Sequence, residues 1–329
     1  MLRNIEKTYS APARHWVGDG FHVSPLFNHM QGDKYTSPFL MLDYAMPQHF
    51  APNEAQSPKG VGAHPHAGFE TVTLALQGEV AHRDSAGNGG TIATGDVQWM
   101  TAGNGIVHEE FHSEAFSKTG GMFEMVQLWV NLPAAKKNVA PAYQGLKAAD
   151  IPVIKHDDGS VRLIAGSLSG NKGAASTHTE LNMWEIDLPT DGTMTLPVPE
   201  NHNLLLVALR GNVRVNDRDL LRPSELTTFA ESGDSIRISA EGEPAKLLFL
   251  SGVPIDEPIA AYGPFVMNTR EEIMQKIPGF QQRQIRRPAL KEAKENPATA
   301  GFSAFIAIHS KFYTKSNAEG GTWLHGETT

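Results

Sequence analysis

The sequence contains no cysteine, so disulfide bonds and thiolate metal sites are excluded, and any bound metal must use nitrogen or oxygen ligands. Long apolar runs are also missing, since the longest one, residues 204–209, is far too short to cross a bilayer. Positive charge is scarce, and the formal net charge of −8 predicts no direct nucleic-acid partner. The first residues show no apolar core of signal-peptide length. These absences predict a cytoplasmic protein with no membrane partner.

Glycine and proline are abundant and are spread along the whole chain. The 329 residues include 31 glycines and 21 prolines, and 40% of the residues are hydrophobic. Frequent turn residues between short apolar segments favour many short strands over long helices. The length suits two domains of ordinary size. The sequence therefore predicts an all-β protein with barrel or sandwich architecture.

Two pairs of polar residues with the same spacing stand out in the first half of the chain. His64 and His66 form one pair, and His108 and Glu110 form the other. Side chains two residues apart on a strand point to the same face, so each pair presents two donor groups together. Neighbouring strands could aim all four at one point. Three imidazoles and one carboxylate suit iron(II), manganese, nickel, cobalt, copper or zinc.

Spacing leaves some choices open at this site. Glu70 has the same parity as His66 and is an alternative to Glu110 as the carboxylate ligand. His112 continues the parity of the second pair, but we expect an exposed histidine at a strand end. His82 lies beside a predicted hairpin tip and is expected to be solvated.

The second half of the chain repeats the first. Residues 203–213 echo residues 70–80, and residues 232–235 echo residues 94–97, which indicates an internal duplication. In the second copy, Pro197 and Pro199 match the first histidine pair, and the second pair is matched at about Lys246 and Leu248. None of these could form the site, so the second copy is predicted to bind no metal.

Three segments follow from these patterns. Residues 1–135 are predicted to form a metal-binding domain, residues 136–295 a second domain without metal ligands, and residues 296–329 an extension. The clearest helix is predicted over residues 271–294, interrupted at Pro278 and Pro288, with Thr269 as its N-cap.

Several blocks of the sequence resemble the pirin family, a branch of the bicupins. The resemblance extends to about residue 294, and its central blocks are highly specific. The matching blocks are residues 37–43 (SPFLMLD), 64–72 (HPHAGFETV), 95–110 (GDVQWMTAGNGIVHEE), 127–132 (QLWVNL) and 262–269 (YGPFVMNT).

The resemblance implies two antiparallel β-barrel (cupin) domains in tandem, with one mononuclear iron in the first domain only. It implies His64, His66, His108 and Glu110 as ligands, and it favours Glu110 over Glu70. Family members show quercetin 2,3-dioxygenase activity, which implies a flavonol-like aromatic substrate and O2 as co-substrate. In such a reaction Glu110 is predicted to be the catalytic group, a general base that accepts the proton of the substrate's 3-hydroxyl group. Other family members bind transcription factors or metabolic enzymes, so the alternative is a regulatory function in which the protein senses metal or redox state.

Overall fold

The computed structural model describes residues 1–29, 34–53 and 57–280, and almost all of its regular structure is β-strand. The strands of the first half are β1 (Ile5–Tyr9), β2 (His15–Val17), β3 (Phe21–Asn28), β4 (Phe39–Phe50), β5 (Gly60–His66), β6 (Phe69–Gln77), β7 (Val80–Asp84), β8 (Gly89–Ile92), β9 (Val97–Thr101), β10 (Ile106–His112), β11 (Gly121–Asn131) and β12 (Ala142–Leu146). Those of the second half are β13 (Val153–His156), β14 (Gly159–Ala165), β15 (Ser167–Leu168), β16 (Asn171–Lys172), β17 (Leu181–Leu188), β18 (Thr193–Pro197), β19 (Asn203–Arg210), β20 (Val213–Val215), β21 (Asp219–Leu221), β22 (Leu226–Phe229), β23 (Ser235–Ala240), β24 (Ala245–Gly252), β25 (Ala260–Tyr262) and β26 (Phe265–Met267).

The strands form two β units of the same kind, which confirms the predicted all-β class and the duplication. The first unit has a seven-stranded sheet in the order β12-β9-β6-β11-β4-β3-β2 and a four-stranded sheet in the order β5-β10-β7-β8. The second has the corresponding sheets β1-β22-β19-β24-β17-β14-β13 and β18-β23-β20-β21. In the described residues the two sheets of a unit remain separate layers rather than closing into one hydrogen-bonded barrel.

The first strand lies in a sheet far from its neighbours in sequence. β1 pairs with β22 and so belongs to the second unit, whereas β12 pairs with β9 in the first. Arg3, just before β1, is fully buried and donates hydrogen bonds to the carbonyl oxygens of His202 (2.5 Å), Pro199 (2.7 Å) and Gly233 (2.9 Å). The start of the chain is thereby fastened to the second unit. The predicted divisions after residues 135 and 295 stay predictions.

The two seven-stranded sheets pack against each other through a shared apolar core. Trp99 and Leu128 from the first unit and Leu205 and Leu248 from the second belong to the same buried cluster. Both faces of β6 and β19 are covered, and nearly every residue of these two strands is buried. β7 and β23, in the four-stranded sheets, alternate between buried and less buried residues instead.

Helices are short and few in the described part of the chain. They are α1 (Glu114–Thr119) and α2 (Arg270–Phe280), with 3-10 turns at Lys34–Thr36, Ala134–Lys136 and Ala148–Asp150. The predicted N-cap of α2 is confirmed, since the backbone N–H of Glu272 donates to Thr269 Oγ1 at 3.2 Å. The predicted interruption at Pro278 is wrong, since the helix continues through this residue to Phe280. The remainder of the helix predicted up to residue 294 lies outside the described residues. No described helix combines the length and apolarity needed to span a membrane.

Candidate metal centre

Three of the four predicted ligands meet in the four-stranded sheet of the first unit. β5 and β10 are antiparallel neighbours, and His108 lies directly opposite His64. The ring centroids of these two histidines are 4.2 Å apart, and the ring of His66 lies 4.9 Å and 4.8 Å from them. One potential ligand nitrogen from each ring lies within 4.8 Å of the other two, and all three side chains are buried. The structure thus forms a compact group of three imidazoles.

The turn that follows His66 is held by close backbone packing. Gly68 has φ +87°, and a Cβ atom there would lie 1.9 Å from the carbonyl oxygen of Val266. Any side chain at this position would both strain the backbone and collide with β26. The buried ammonium of Lys137 donates to the carbonyl oxygens of Gly68 (2.9 Å) and Val266 (3.1 Å). The chain therefore has little freedom immediately after the first histidine pair.

The hydrogen bonds of the rings leave nitrogen atoms available for a metal. His64 Nδ1 lies 2.8 Å from the carbonyl oxygen of Gly62, so Nδ1 carries the proton and Nε2 carries the lone pair of the neutral ring. His108 Nε2 is buried and has no hydrogen-bond partner among the described residues. Burial, together with repulsion from His64, His66 and His82, lowers the pKa of His108 well below its usual value. A neutral ring with an unpartnered buried nitrogen is what a metal ligand requires.

Glu110 lies at the edge of this group rather than within it. Its carboxylate forms a second close group with His82 and His108, and the four predicted ligands do not all lie within 4.8 Å of one another. Thr73 donates a hydrogen bond to Glu110 Oε1 at 3.2 Å, and burial raises the pKa of the carboxyl group. Glu110 also lines the same cavity as His64 and His66. The carboxylate is therefore close to the three rings, on the side where His82 lies.

Glu70, the alternative ligand, occupies a different environment. It lies on β6 in the seven-stranded sheet, on the strand face that carries Val72 and Leu74 into the core between the units. Its carboxylate accepts a hydrogen bond from Thr101 Oγ1 at 2.7 Å, and it joins neither close histidine group. Glu70 and His66 do not share a strand face despite their even spacing, because the chain passes from the four-stranded sheet to the seven-stranded sheet at the turn around Gly68.

Two histidines differ from the sequence predictions. His82, expected to be solvated, is 1% exposed, and its Nδ1 lies 3.3 Å from His108 Nδ1. His112, expected at an exposed strand end, is buried with its ring 4.7 Å from that of Phe50 and 4.8 Å from that of Phe123. Both predictions were wrong because β10 pairs with β7 across two intervening strands. No local pattern indicates that contact.

The second unit has different residues at the corresponding strands. β18 pairs with β23 as β5 pairs with β10, so β23 is the counterpart of β10. The predicted match of Lys246 and Leu248 to the second ligand pair is therefore wrong, since both lie on β24 in the seven-stranded sheet. The sequences of β18 (TMTLP) and β23 (SIRISA) contain no histidine, aspartate or glutamate. That the second unit binds no metal stays a prediction.

A small cavity of about 50 Å³ adjoins the histidine group. Its polar wall includes Asp43, Gln127 and Glu110, while Trp129 forms part of its apolar wall. Burial raises the pKa of Asp43 to about 7, and its Oδ1 has no hydrogen-bond partner among the described residues. The indole ring of Trp129 also packs against His66, with ring centroids 5.4 Å apart. The cavity thus combines ionisable groups with an aromatic surface.

The fold and the histidine group define a two-domain cupin protein with a candidate metal centre in its first domain. The family model described as Pirin matches residues 20–130, and the one described as Pirin C-terminal cupin domain matches residues 183–286. The chain belongs to the pirin family. This confirms the resemblance and the tandem cupin architecture expected from it.

Relatives with known names are similar over most of their length. A Pseudomonas aeruginosa protein named "Putative quercetin 2,3-dioxygenase" is 48% identical over 282 residues, which cover 85% of this chain and 97% of that protein. Human pirin is 34% identical over 252 residues, 75% of this chain and 82% of pirin. A crystal structure of quercetin 2,3-dioxygenase from Acinetobacter baumannii has a TM-score of 0.83 at 49% identity, covering 86% of this chain and 98% of that one.

Proposed function

We propose that the protein binds one divalent metal ion through His64, His66, His108 and Glu110, and that it cleaves the heterocyclic ring of a flavonol such as quercetin with O2. The observation that carries this proposal is the buried group of three imidazoles beside a cavity that also contains a carboxylate. The names of the similar bacterial proteins support the choice of substrate.

The donor set fits a first-row transition metal. Neutral imidazoles and one carboxylate are ligands that iron(II) accepts, and iron(II) is the ion we propose. Manganese, nickel, cobalt, copper and zinc suit the same donors. When bound, the ion would favour the anionic form of the substrate's 3-hydroxyl group and supply the redox chemistry toward O2. The cytoplasm stays the predicted compartment.

The protein's own residues would bind and deprotonate the flavonol. Glu110 is proposed to accept the proton of the 3-hydroxyl group, because its buried carboxylate lines the same cavity as His64 and His66. Thr73 Oγ1 lies 3.2 Å from Glu110 Oε1 and 2.8 Å from Gln127 Oε1, so its single hydroxyl proton is shared between these two acceptors. Asp43 and Gln127 provide hydrogen-bonding groups for other substrate oxygens, and Trp129 provides an aromatic face. Ring opening by O2 would release carbon monoxide.

The cavity must enlarge to accept a flavonol. Its volume of about 50 Å³ holds a few water molecules, whereas sites for drug-sized ligands usually measure about 300–1,000 Å³. Val17, Phe21 and Val23 from the β2–β3 hairpin form one wall. Displacement of this hairpin would open the cavity, and it would break the hydrogen bonds that join Asp19 to Gly60 at the start of β5.

The test uses purified protein loaded with iron(II) and a measured metal content. Wild type should consume quercetin in air, seen as loss of flavonol absorbance. His64→Ala should lose both metal and activity, whereas His178→Ala, which changes an exposed histidine, should lose neither. Glu110→Gln should lower kcat about 100-fold or more if the carboxylate is the base. Fully loaded wild-type protein that leaves quercetin unchanged would overturn the dioxygenase assignment.

The small cavity also favours a second function, a regulatory protein whose metal responds to redox state. In so small a cavity, electrons or small molecules would reach the bound ion more readily than a three-ring flavonol would. The partner would be a transcription factor or a metabolic enzyme. Pull-downs with iron(II)- and iron(III)-loaded protein should recover different partners, and identical recovery from both forms would exclude this function.

A further inference from the structure

A line of buried polar side chains runs from a hairpin turn to the histidine group. Asp84 Oδ2 lies 3.4 Å from His82 Nε2, and His82 Nδ1 lies 3.3 Å from His108 Nδ1. All three residues are at most 2% exposed. The ring of His82 is stacked against Tyr143, with centroids 5.2 Å apart and an interplanar angle of 20°. His82 is therefore fixed between a carboxylate and a proposed ligand.

The carboxylate at the outer end is firmly anchored. Asp84 Oδ1 accepts hydrogen bonds from the backbone N–H groups of Ala86 and Asn88, both at 2.9 Å, and Oδ2 accepts one from Asn88 Nδ2 at 2.9 Å. All three of these donors are N–H groups, so both carboxylate oxygens of Asp84 act as hydrogen-bond acceptors.

The anchored carboxylate of Asp84 determines which ring nitrogen carries the proton in His82 and in His108. Because Asp84 only accepts, His82 must carry its proton on Nε2, and in the neutral ring Nδ1 is then an acceptor. His108 must therefore carry its proton on Nδ1 to donate to His82. The remaining nitrogen, His108 Nε2, is left without a proton, and it is the buried atom that has no hydrogen-bond partner among the residues described.

We propose that Asp84 and His82 are positioning residues that act in series on His108, fixing its tautomer and ring orientation so that Nε2 can bind the metal. This inference rests on the proposed metal site, but it assigns roles to two residues outside the ligand set. Partners of this kind usually change metal affinity about 10- to 100-fold. The arrangement also explains why a histidine occupies the buried position on β7 opposite Glu110.

His82 could instead be a direct ligand, because it forms a close group with His108 and Glu110. The two roles make different demands on a replacement side chain. A glutamine at position 82 can accept a hydrogen bond from His108 through its carbonyl oxygen and donate one to Asp84 through its amide. It therefore preserves positioning, whereas leucine removes both hydrogen bonds.

The experiment measures iron(II) affinity anaerobically by competition with a chromogenic chelator. His82→Leu should weaken binding about 10- to 100-fold, and His82→Gln should remain within about threefold of wild type. His178→Leu, at an exposed site, should leave the affinity unchanged. A folded His82→Leu protein with wild-type affinity would refute the positioning role. If the leucine and glutamine variants lost iron affinity equally, and by more than the about 10- to 100-fold expected for a positioning residue, His82 would itself be a ligand. That result would also overturn the positioning role.

A second measurement needs no variant and no metal. In 15N–1H spectra of the metal-free wild type, His82 should be protonated on Nε2 and His108 on Nδ1. The reverse tautomer of His108 would overturn the inference even if iron binds. If wild-type protein binds no iron(II) at all, the proposed function fails, and this inference fails with it. Normal iron binding with an unaffected His82→Leu variant rejects the positioning role alone.

Discussion

Replacing Glu70 with glutamine tests both the ligand assignment and the energetics of the core between the two units. Glu70 is fully buried, and it accepts one hydrogen bond at Oε1, from Thr101. Burial is the largest influence on its carboxyl group, and it raises the pKa to about 7 from an ordinary value of 4.5. Glutamine has nearly the same shape and retains the oxygen that Thr101 contacts, but it cannot ionise.

The sign and size of the effect follow from proton linkage. Below pH 4.5 the carboxyl group is protonated in both the folded and the unfolded chain, so pH has no effect through this group. Between pH 4.5 and 7 the unfolded chain loses the proton while the folded chain keeps it. The free energy of unfolding therefore falls by about 1.4 kcal/mol per pH unit and by about 3 kcal/mol in total. Above pH 7 this loss levels off.

The variant Glu70→Gln should escape this loss. Measured by urea denaturation of metal-free protein from pH 5 to pH 8.5, its stability relative to wild type should rise with pH and then reach a plateau. Glu243→Gln changes an exposed carboxylate and should show no comparable rise. Iron content should stay at the wild-type level, because Glu70 faces away from the histidines. A flat difference across the pH range, or a loss of iron, would refute the argument.

Two further variants test contacts that support the site and the join between the units. In thermal unfolding, Gly68→Ala should destabilise the protein by about 2 kcal/mol or more, and it should also reduce iron occupancy. The control Gly170→Ala has φ +81° but nothing within 4 Å of the added Cβ, so it should destabilise the protein by only about 1 kcal/mol. Equal costs would contradict the clash with Val266. Arg3→Met should lower the free energy of unfolding by about 3 kcal/mol, since buried carbonyl oxygens lose charged donors, while Arg14→Met at an exposed site should have little effect. Similar stabilities would show that Arg3 does not fasten the chain start.

Local patterns were sufficient to predict the strand-rich fold and the two ligand pairs, each with both side chains on one strand face. The period of two residues along a strand places His64 and His66 together, and the glycine turns mark where the strands end. The echo between residues 70–80 and 203–213 reveals the second unit, because both segments are central strands covered on two faces. These features depend on near neighbours in sequence.

Pairing between distant strands could not be predicted in the same way. His82 reaches His108 because β7 pairs with β10, a contact that spans 26 residues in sequence. Glu70 shares a parity with His66 that ends at Gly68, where the chain changes sheet. The predicted match of Lys246 to the second ligand pair was wrong for a related reason, because spacing along the chain does not reveal which sheet a strand joins.

The interiors of the two units differ in polarity, and this difference gives the second unit a stabilising role. The interior of the first unit holds His64, His66, His108, Glu110 and Asp43, all of which cost free energy to bury. The interior of the second is filled by apolar side chains, among them stacked Trp184 and Phe249. Because the units share one apolar core, and because β1 fastens the start of the chain to the second unit, burial there stabilises the whole molecule. A second unit without polar ligands therefore offsets the cost of a polar site in the first.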